Sequence, residues 1–234
     1  AQSAQSVVEV DLWFAPLAEP NRTIRQLATM LPPDEQKRAA LRIGLPAQRR
    51  FPVAHAFLRM VLATYLHTAP EWLRFDTDPH GKPILAGPVP GRRPCFSLAH
   101  ACDTALLAVS WDREVGVDAE RIRLDIDISA LAGWVFSPAE RRVLALLDPA
   151  QQRSRWFQGW TAKEAYLKAR GVGLTMPLDE TEVLGSDGVL VSSVDPADGT
   201  GPWHLIEVAA PVGMVATLVA EGDDVMVTPK WWRW

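Results

Sequence analysis

The sequence predicts an α+β protein built as two similar α/β halves in one chain. A strand-like segment near the N-terminus is followed by helical segments and then by short strands, and the same order of elements returns after residue 115. A composition of 48% hydrophobic and 22% charged residues is typical of a folded globular chain. No sequence repeat accompanies this order, so the division into residues 1–114 and 115–234 depends on element order alone.

The first half begins with a half-buried strand at residues 7–14, where Val8, Val10 and Leu12 share one face. Helices are predicted at residues 22–30, 34–42 and 46–66, and the last of these opens with a proline, which suits a first helical turn. Turn-rich segments then separate short strands, which we place at residues 73–77, 83–85, 95–98, 104–111 and 115–120.

The second half contains two helix starts with clear capping signals. Ser137-Pro138-Ala139-Glu140 has the pattern of a capping box, and Asp148-Pro149 opens a helix that runs to about Arg170, where Gly171 stops it. Strands are predicted after it at residues 182–191, 203–209, 213–220 and 225–228.

Composition excludes several classes of protein. The formal net charge of −4 gives no general attraction to nucleic acid. No run of about 18 apolar residues is present to span a membrane, and residues 1–6 lack the apolar core of a signal segment. Cys95 and Cys102 form no disulfide framework or metal-ligand pattern. We therefore expect a reducing, cytoplasmic location with neither nucleic acid nor membrane as partner.

The segment VGVDAE, residues 115–120, is the first candidate motif. In a strand, Asp118 and Glu120 point to the same face, with Cα atoms about 7 Å apart. Like charges so close repel each other unless a cation lies between them, and carboxylate oxygens are the ligands that Mg²⁺ prefers. The alternative is a solvated strand end whose carboxylates pair with Arg121 and Arg123.

The second candidate motif lies on the long helix of the second half. Trp160, Glu164 and Lys168 recur every four residues and therefore share one face. Taken alone, Glu164 and Lys168 are more simply explained as a surface ion pair worth about 0.3–0.5 kcal/mol. Their position close to two glycines, Gly171 and Gly173, favours a site, because a sharp helix end returns the chain over that face.

Together, VGVDAE and WTAKEAYLKARGVGL resemble the paired signatures of the 4′-phosphopantetheinyl transferases, and more specifically those of the surfactin-synthetase-activating type. Three further features agree with that type in order: GKP at residues 81–83, FSLAH at residues 96–100, and an arginine-bearing helix before Leu58-Arg59. The resemblance covers about residues 33–180. It implies a monomer of two pseudo-symmetric α/β halves with coenzyme A bound between them.

The resemblance also implies a reaction. The 4′-phosphopantetheine arm of coenzyme A is transferred to a serine of an apo acyl or peptidyl carrier protein, and adenosine 3′,5′-bisphosphate is released. Asp118, Glu120 and Glu164 match the metal-holding positions, and Glu164 is our candidate for the general base. Lys168, one helical turn further on, is expected to reach the α-phosphate.

The nucleotide part of coenzyme A is expected to meet Arg50, Lys82 and His100, which match the family's positions for it. The chain departs from the family pattern at two positions, the residue before His100 and the residue after Arg50. Ala99 stands where a serine is common, and Phe51 where a small hydroxyl residue is common, so two hydrogen bonds to the nucleotide are missing from the expected set.

Two other interpretations stay open at this point, a non-catalytic coenzyme A-binding relative and a carrier-binding scaffold without chemistry. The intact acidic cluster argues against both, because buried carboxylates without a counter-ion are destabilising. Arg141, Arg142, Arg153 and Arg155 are a candidate docking surface for an acidic carrier protein. The terminal segment 231–234 is expected to pack on its own sheet.

Overall fold

The computed structural model describes residues 7–88, 91–111, 113–196 and 199–234, with the backbone alone at residue 174. Residues 1–6, and with them the expectation about a signal segment, lie outside this range. Helices and several sheets alternate along the chain, which confirms the α+β prediction. No helix in these ranges is both long and apolar enough to cross a bilayer.

The first half places three helices against a sheet. Strand β1 spans Val8–Pro16, and the helices are α1 (Asn21–Thr29), α2 (Pro33–Ala40) and α3 (Leu45–Leu66). A small hairpin of β2 (Phe75–Thr77) and β3 (Pro83–Leu85) leads to β4 (Pro94–Ala101) and β5 (Thr104–Trp111). The predicted elements of this half are confirmed, with ends that differ by a few residues.

The second half begins with β6 (Val115–Arg121) and continues through helices α4 (Ile128–Val135), α5 (Pro138–Ala145) and α6 (Pro149–Arg170). The predicted capping box opens α5, and the Asp148 carboxylate caps α6. Helix α4 is not among the predicted helices. Its N-terminus is capped by the Asp127 carboxylate. The remaining strands are β7 (Ser193–Val194), β8 (Trp203–Glu207), β9 (Met214–Glu221) and β10 (Val225–Trp231).

Two four-stranded sheets carry the architecture, with strand orders β10-β1-β5-β4 and β6-β9-β8-β7. Three apolar cores follow from them. One lies between α3 and the first sheet, one between the two sheets, and one between the second sheet and α6. Since β6 faces the first sheet on one side and α6 on the other, it lies at the centre of the molecule.

The predicted strand at residues 182–191 is wrong. This segment contains a single bridge between Leu184 and Leu190 and is otherwise a loop. The backbone N–H groups of Val183 and Leu184 donate to the buried Glu140 carboxylate instead of to a neighbouring strand. Hydrogen bonds to a side chain distant in sequence have therefore replaced the β-ladder hydrogen bonds that the local sequence pattern predicts.

The last strand crosses the division predicted at residue 115. Strand β10 pairs in parallel with β1, and Lys230 forms an ion pair with Asp11 at 2.7 Å. As expected for the terminal segment, Trp232 packs against the first core and Trp234 donates to the carbonyl of Pro16. The chain end thus stabilises the first half, and the repeated plan of two halves remains a prediction.

A buried ion pair fixes α2 on α3. Arg59 donates two hydrogen bonds of 3.0 Å to the Glu35 carboxylate, and both side chains are almost fully buried. Burial raises the pKa of Glu35, but contacts with His55 and Arg59 outweigh it and lower the pKa to about 2. Arg59 also donates to the carbonyl groups of Pro70 and Leu73, so these hydrogen bonds hold its buried guanidinium in addition to the ion pair.

Because its folded-state pKa is depressed, ionised Glu35 should stabilise the protein above its ordinary value of 4.5 and lose that effect as the pH falls towards 2. A Glu35→Gln variant should be less stable by about 3–5 kcal/mol at neutral pH, because Arg59 keeps a buried charge without a partner. Urea unfolding over a series of pH values measures both effects. Asp34→Asn, at a carboxylate that is 70% exposed, is the control. A penalty in Glu35→Gln that stays constant with pH would contradict the assignment.

Candidate active site

The apolar and the acidic side chains of strand β6 point to opposite faces of its sheet. Val115, Val117 and Ala119 point into the core between the two sheets. Asp118 and Glu120 lie on the opposite face, towards α6, and Asp118 is 8% exposed. The predicted sharing of one face by the two carboxylates is confirmed, and the solvated strand end is excluded for Asp118.

Gly116 allows α6 to approach β6 more closely than any side chain would permit. A Cβ atom at this position would lie 1.9 Å from the carbonyl oxygen of Ala165 and 2.4 Å from the amide nitrogen of Ala169. Backbone therefore meets backbone at Gly116. Since Glu164 and Lys168 flank Ala165 and Ala169 on the helix, this contact brings them beside the carboxylates of β6.

Lys168 forms an ion pair with Asp118. Its Nζ lies 2.6 Å from Asp118 Oδ1 and 3.3 Å from the carbonyl oxygen of Val117. The other carboxylate oxygen, Asp118 Oδ2, is buried and has no hydrogen-bond partner in the part of the chain that the structure describes. A buried carboxylate oxygen without a partner is costly, so this atom is available to a ligand.

Burial opposes the ionisation of all three carboxylates of the site. Burial raises the pKa of Asp118, against the effect of Lys168. Burial also raises the pKa of Glu120 and Glu164, and the negative charge of Asp118 adds to both shifts. The indole of Trp160 contacts Glu120 and favours its charged form. A bound cation would relieve the repulsion among these groups.

The donor set fits a hard divalent cation. Carboxylate oxygens are the ligands that Mg²⁺ prefers, and one of those present is buried without a partner. In the part of the chain that the structure describes, however, no three His, Cys, Asp or Glu side chains surround one point closely enough to hold an ion. The Lys168 ammonium contacts Asp118 Oδ1 instead and acts as the counter-ion of the Asp118 carboxylate.

The predicted nucleotide residues all lie on the first half, and two of the three approach the second. His100 ends β4, where desolvation and the positive charge of Lys168 lower its pKa. Lys82 Nζ lies 3.1 Å from Glu114 and 3.4 Å from the carbonyl oxygen of Val115, at the start of β6. Arg50 pairs with Asp103 at the turn after β4. The structure thus brings His100 and Lys82 to the strand and helix of the acidic cluster, whereas Arg50 lies beside another carboxylate.

The comparisons with known proteins agree with this geometry. A family model described as the 4′-phosphopantetheinyl transferase superfamily matches residues 114–210, the segment that contains Asp118, Glu120, Glu164 and Lys168. The 4′-phosphopantetheinyl transferase HetI of Nostoc sp. is 35% identical over 228 residues, which cover 97% of this chain and 92% of that protein. The chain belongs to the 4′-phosphopantetheinyl transferase superfamily.

Two further relatives match shorter parts of the chain. A 4′-phosphopantetheinyl transferase of Bacillus subtilis is 30% identical over 155 residues, 65% of each chain. The 4′-phosphopantetheinyl transferase AcpT of Salmonella typhimurium is 35% identical over 113 residues, 48% of this chain and 56% of that protein.

The two departures from the family pattern have structural explanations in this phosphopantetheinyl transferase. Ala99 is buried in the core between the sheets. Phe51 is buried on α3, where its ring stacks on His55 and carries the Arg42 guanidinium at 4.9 Å from its centroid. Neither Arg42 nor His55 lies in a motif, so the sequence does not indicate their contacts with Phe51, which appear only in the folded chain.

Lys163, which precedes Glu164 in the motif, points away from the carboxylates. It is 1% exposed, and its Nζ donates to Glu140 at 2.7 Å and to the carbonyl oxygens of Leu178 at 2.9 Å and Thr181 at 2.7 Å. All three donor positions of the ammonium are used. Lys163 therefore fixes the loop after α6 to the helices and has no direct part in the site.

That loop forms one wall of an apolar cleft of about 760 Å³ beside the carboxylates. Glu120 and Trp160 lie at the end of the cleft that adjoins the site, and Met176 and Leu178 come from the loop held by Lys163. Trp134, which is 80% exposed, lies on the other wall. The site therefore continues into a surface suited to an apolar chain.

Gly116→Ala tests the contact between β6 and α6. The added methyl group cannot fit beside the α6 backbone, so the helix must move and Glu164 and Lys168 with it. We expect the free energy of unfolding to fall by at least about 3 kcal/mol, which is the upper end of the range for overpacked cores. Urea unfolding measures this loss. Gly133→Ala is the matched control, because a Cβ atom there meets only Arg141 at 3.6 Å and α4 should gain stability. Equal stability of the two variants would contradict the close packing.

Lys163→Met tests the structural role of the first motif lysine. The variant leaves Glu140 charged and buried without its partner, so we expect a loss of about 3–5 kcal/mol in unfolding free energy. Adding Glu140→Gln removes the unpaired charge and should restore part of the loss. A Lys163→Met protein as stable as the parent would show that the ion pair does not support the loop.

Proposed function

We propose that this chain transfers the 4′-phosphopantetheine arm of coenzyme A to a serine of an apo acyl or peptidyl carrier protein. The observation that supports it most directly is the apposition of Asp118 and Glu120 on β6 with Glu164 and Lys168 on α6. Carboxylates able to hold a divalent cation and an amine able to meet a phosphate are the groups that transfer from a diphosphate requires.

The reaction exchanges one bond to phosphorus for another. The serine oxygen bonds to the phosphorus that carries the pantetheine arm, and the bond from that phosphorus to the bridging oxygen of the diphosphate breaks. Adenosine 3′,5′-bisphosphate departs with the negative charge. Glu164 accepts the serine proton, a role that its raised pKa favours.

Asp118, Glu120 and Glu164 would hold Mg²⁺, which when bound would neutralise charge that develops on the diphosphate. Lys168 would exchange its contact with Asp118 for the α-phosphate. Its side chain is 31% exposed, so this exchange needs no burial of new charge. The first half would supply the nucleotide side through Arg50, Lys82 and His100, and the second half the metal and catalytic residues.

The surfactin-synthetase-activating type is the subtype we propose, with a monomer as the active form. The support is the order of GKP, FSLAH and the two motifs along one chain. We also propose that the enzyme works in the cytoplasm, with no nucleic acid or membrane as partner.

The proposed carrier protein would dock beside the apolar cleft. Arg141 and Arg142 are exposed on α5, next to the cleft wall formed by α4. Arg153 is less available, because it donates to the carbonyl groups of Arg123 and Ile126. The proposed docking surface therefore contains fewer available arginines than the four predicted from the sequence.

Incubation with coenzyme A, Mg²⁺ and an apo carrier protein tests the proposal, with mass spectrometry of the carrier as the measurement. A gain of one phosphopantetheine group supports transfer. Coenzyme A binding without any gain would indicate a binding module, and carrier binding alone would indicate a scaffold. Chelation of the metal should stop the reaction, and activity that survives chelation would remove the metal from the proposal.

Glu164→Gln tests the general base. The variant keeps the shape of the side chain but cannot take up the serine proton, so we expect turnover to fall at least about tenfold, within the range typical of lost acid–base catalysis, while coenzyme A still binds. Glu9→Gln, at an exposed carboxylate on β1, is the control. Near-normal turnover of Glu164→Gln would exclude this residue as the base.

Charge reversal at Arg141 and Arg142 tests the docking surface. The double change to glutamate should raise the KM for the carrier protein and leave the KM for coenzyme A unchanged, since charge on the rim of an interface acts mainly on association. Equal effects on both constants would contradict docking at this surface.

A further inference from the structure

The Arg42 guanidinium is fixed in place without a carboxylate partner among the residues that the structure describes. It is exposed and lies over the face of the Phe51 ring. By contrast, Arg50 and Arg59 on the neighbouring helix are paired with Asp103 and Glu35. An arginine that is held but unpaired keeps all of its donors for an anion from outside.

The ring that carries Arg42 is itself rigidly placed. Phe51 is 4% exposed, and the His55 imidazole stacks on it with ring centroids 3.9 Å apart and an angle of 22° between the planes. His55 Nδ1 lies 3.7 Å from Glu35, which Arg59 holds. The stack is therefore anchored to the buried ion pair of the first half.

Arg42 also belongs electrostatically to the site. Desolvation lowers the pKa of His100, and the positive charges of Lys168 and Arg42 add to this effect. Cationic groups from both halves thus lie within electrostatic range of one imidazole. Such a gathering of like charges is unfavourable until an anion lies among them.

We infer that Arg42 binds a phosphate group of coenzyme A and that Phe51 positions it for this contact. The inference rests on the proposed function, since it names a further part of the same site. Phe51 stands where the family commonly has a small hydroxyl residue. The aromatic ring replaces the lost hydrogen bond by presenting a guanidinium, which meets phosphate with two donors in a fixed plane.

Coenzyme A offers two kinds of phosphate, the 3′-monoester and the diphosphate, and titration calorimetry with two ligands distinguishes them. Arg42→Gln should weaken coenzyme A binding about tenfold, as expected for a lost hydrogen bond to a charged group. If binding of 3′-dephospho-coenzyme A is unchanged, the contact is to the monoester, and if both ligands weaken equally it is to the diphosphate. Unchanged binding of both ligands overturns the inference.

Arg22→Gln is the matched control for charge, because Arg22 is exposed on α1 and its loss changes the net charge equally. It should leave both affinities unchanged. An equal loss in Arg22→Gln and Arg42→Gln would reduce the effect to general electrostatics and would also overturn the inference.

The positioning role of Phe51 has its own test. Phe51→Leu removes the aromatic ring beneath Arg42 and should weaken coenzyme A binding at least about threefold, or about 0.7 kcal/mol. Phe51→Tyr keeps an aromatic ring and should bind coenzyme A like the parent protein. Phe57→Leu, at a fully buried ring on the same helix, controls for lost packing. Equal weakening by Phe51→Leu and Phe57→Leu would overturn the positioning role.

These measurements are independent of transfer itself. If the parent protein modifies no carrier but binds coenzyme A through Arg42, the proposed function fails and this inference stands. If the parent transfers the arm while Arg42→Gln binds coenzyme A normally, the inference fails alone.

Discussion

The contact between the backbones of β6 and α6 at Gly116 determines the rest of the site. Without a Cβ atom at this residue, the helix lies directly against the strand, and side chains on either side of the contact are held at fixed separations. Asp118 follows two residues later on the strand, and Glu164 and Lys168 flank the contact on the helix. The catalytic geometry proposed for this family member therefore depends on a missing side chain as much as on the charged ones present.

Helix α6 carries two lysines with carboxylate partners, and the difference in their burial separates structure from chemistry. Lys163 and Glu140 are both about fully buried, and every donor and acceptor of the pair is used. The side chains of Lys168 and Asp118 are 31% and 11% exposed, and one oxygen of Asp118 has no partner among the described residues. A fully satisfied buried pair resists exchange of partners, whereas the second pair can accept a ligand. The motif thus combines an anchor and a functional group five residues apart on one helix.

Local patterns were sufficient to predict much of this fold. The alternation in VGVDAE, the capping box at Ser137 and the start and end of α6 depend on neighbouring residues, and all appear as expected. The loop at residues 182–191 and the pairing of β10 with β1 depend on partners more than forty residues away, so no local pattern identifies them. The site shows the same division. The sequence places Asp118 and Glu120 on one face, but only the folded chain reveals that Lys168 already pairs with Asp118 and that Phe51 carries Arg42.

The charges of the site are arranged in two groups, each unfavourable on its own. Burial raises the pKa of the three carboxylates on the β6 and α6 side, and the negative charge of Asp118 adds to the shifts of Glu120 and Glu164; desolvation and nearby cations lower the pKa of His100. Lys168 belongs to both groups, and its contact with Asp118 and its charge near Glu120 and Glu164 offset part of the burial of the first. A ligand that joins a divalent cation to a phosphate-rich anion would neutralise both groups at once, whereas either ion alone leaves one group unbalanced. Because a ligand that binds the folded state stabilises it, a metal and a nucleotide bound together would relieve more of this repulsion than either bound alone.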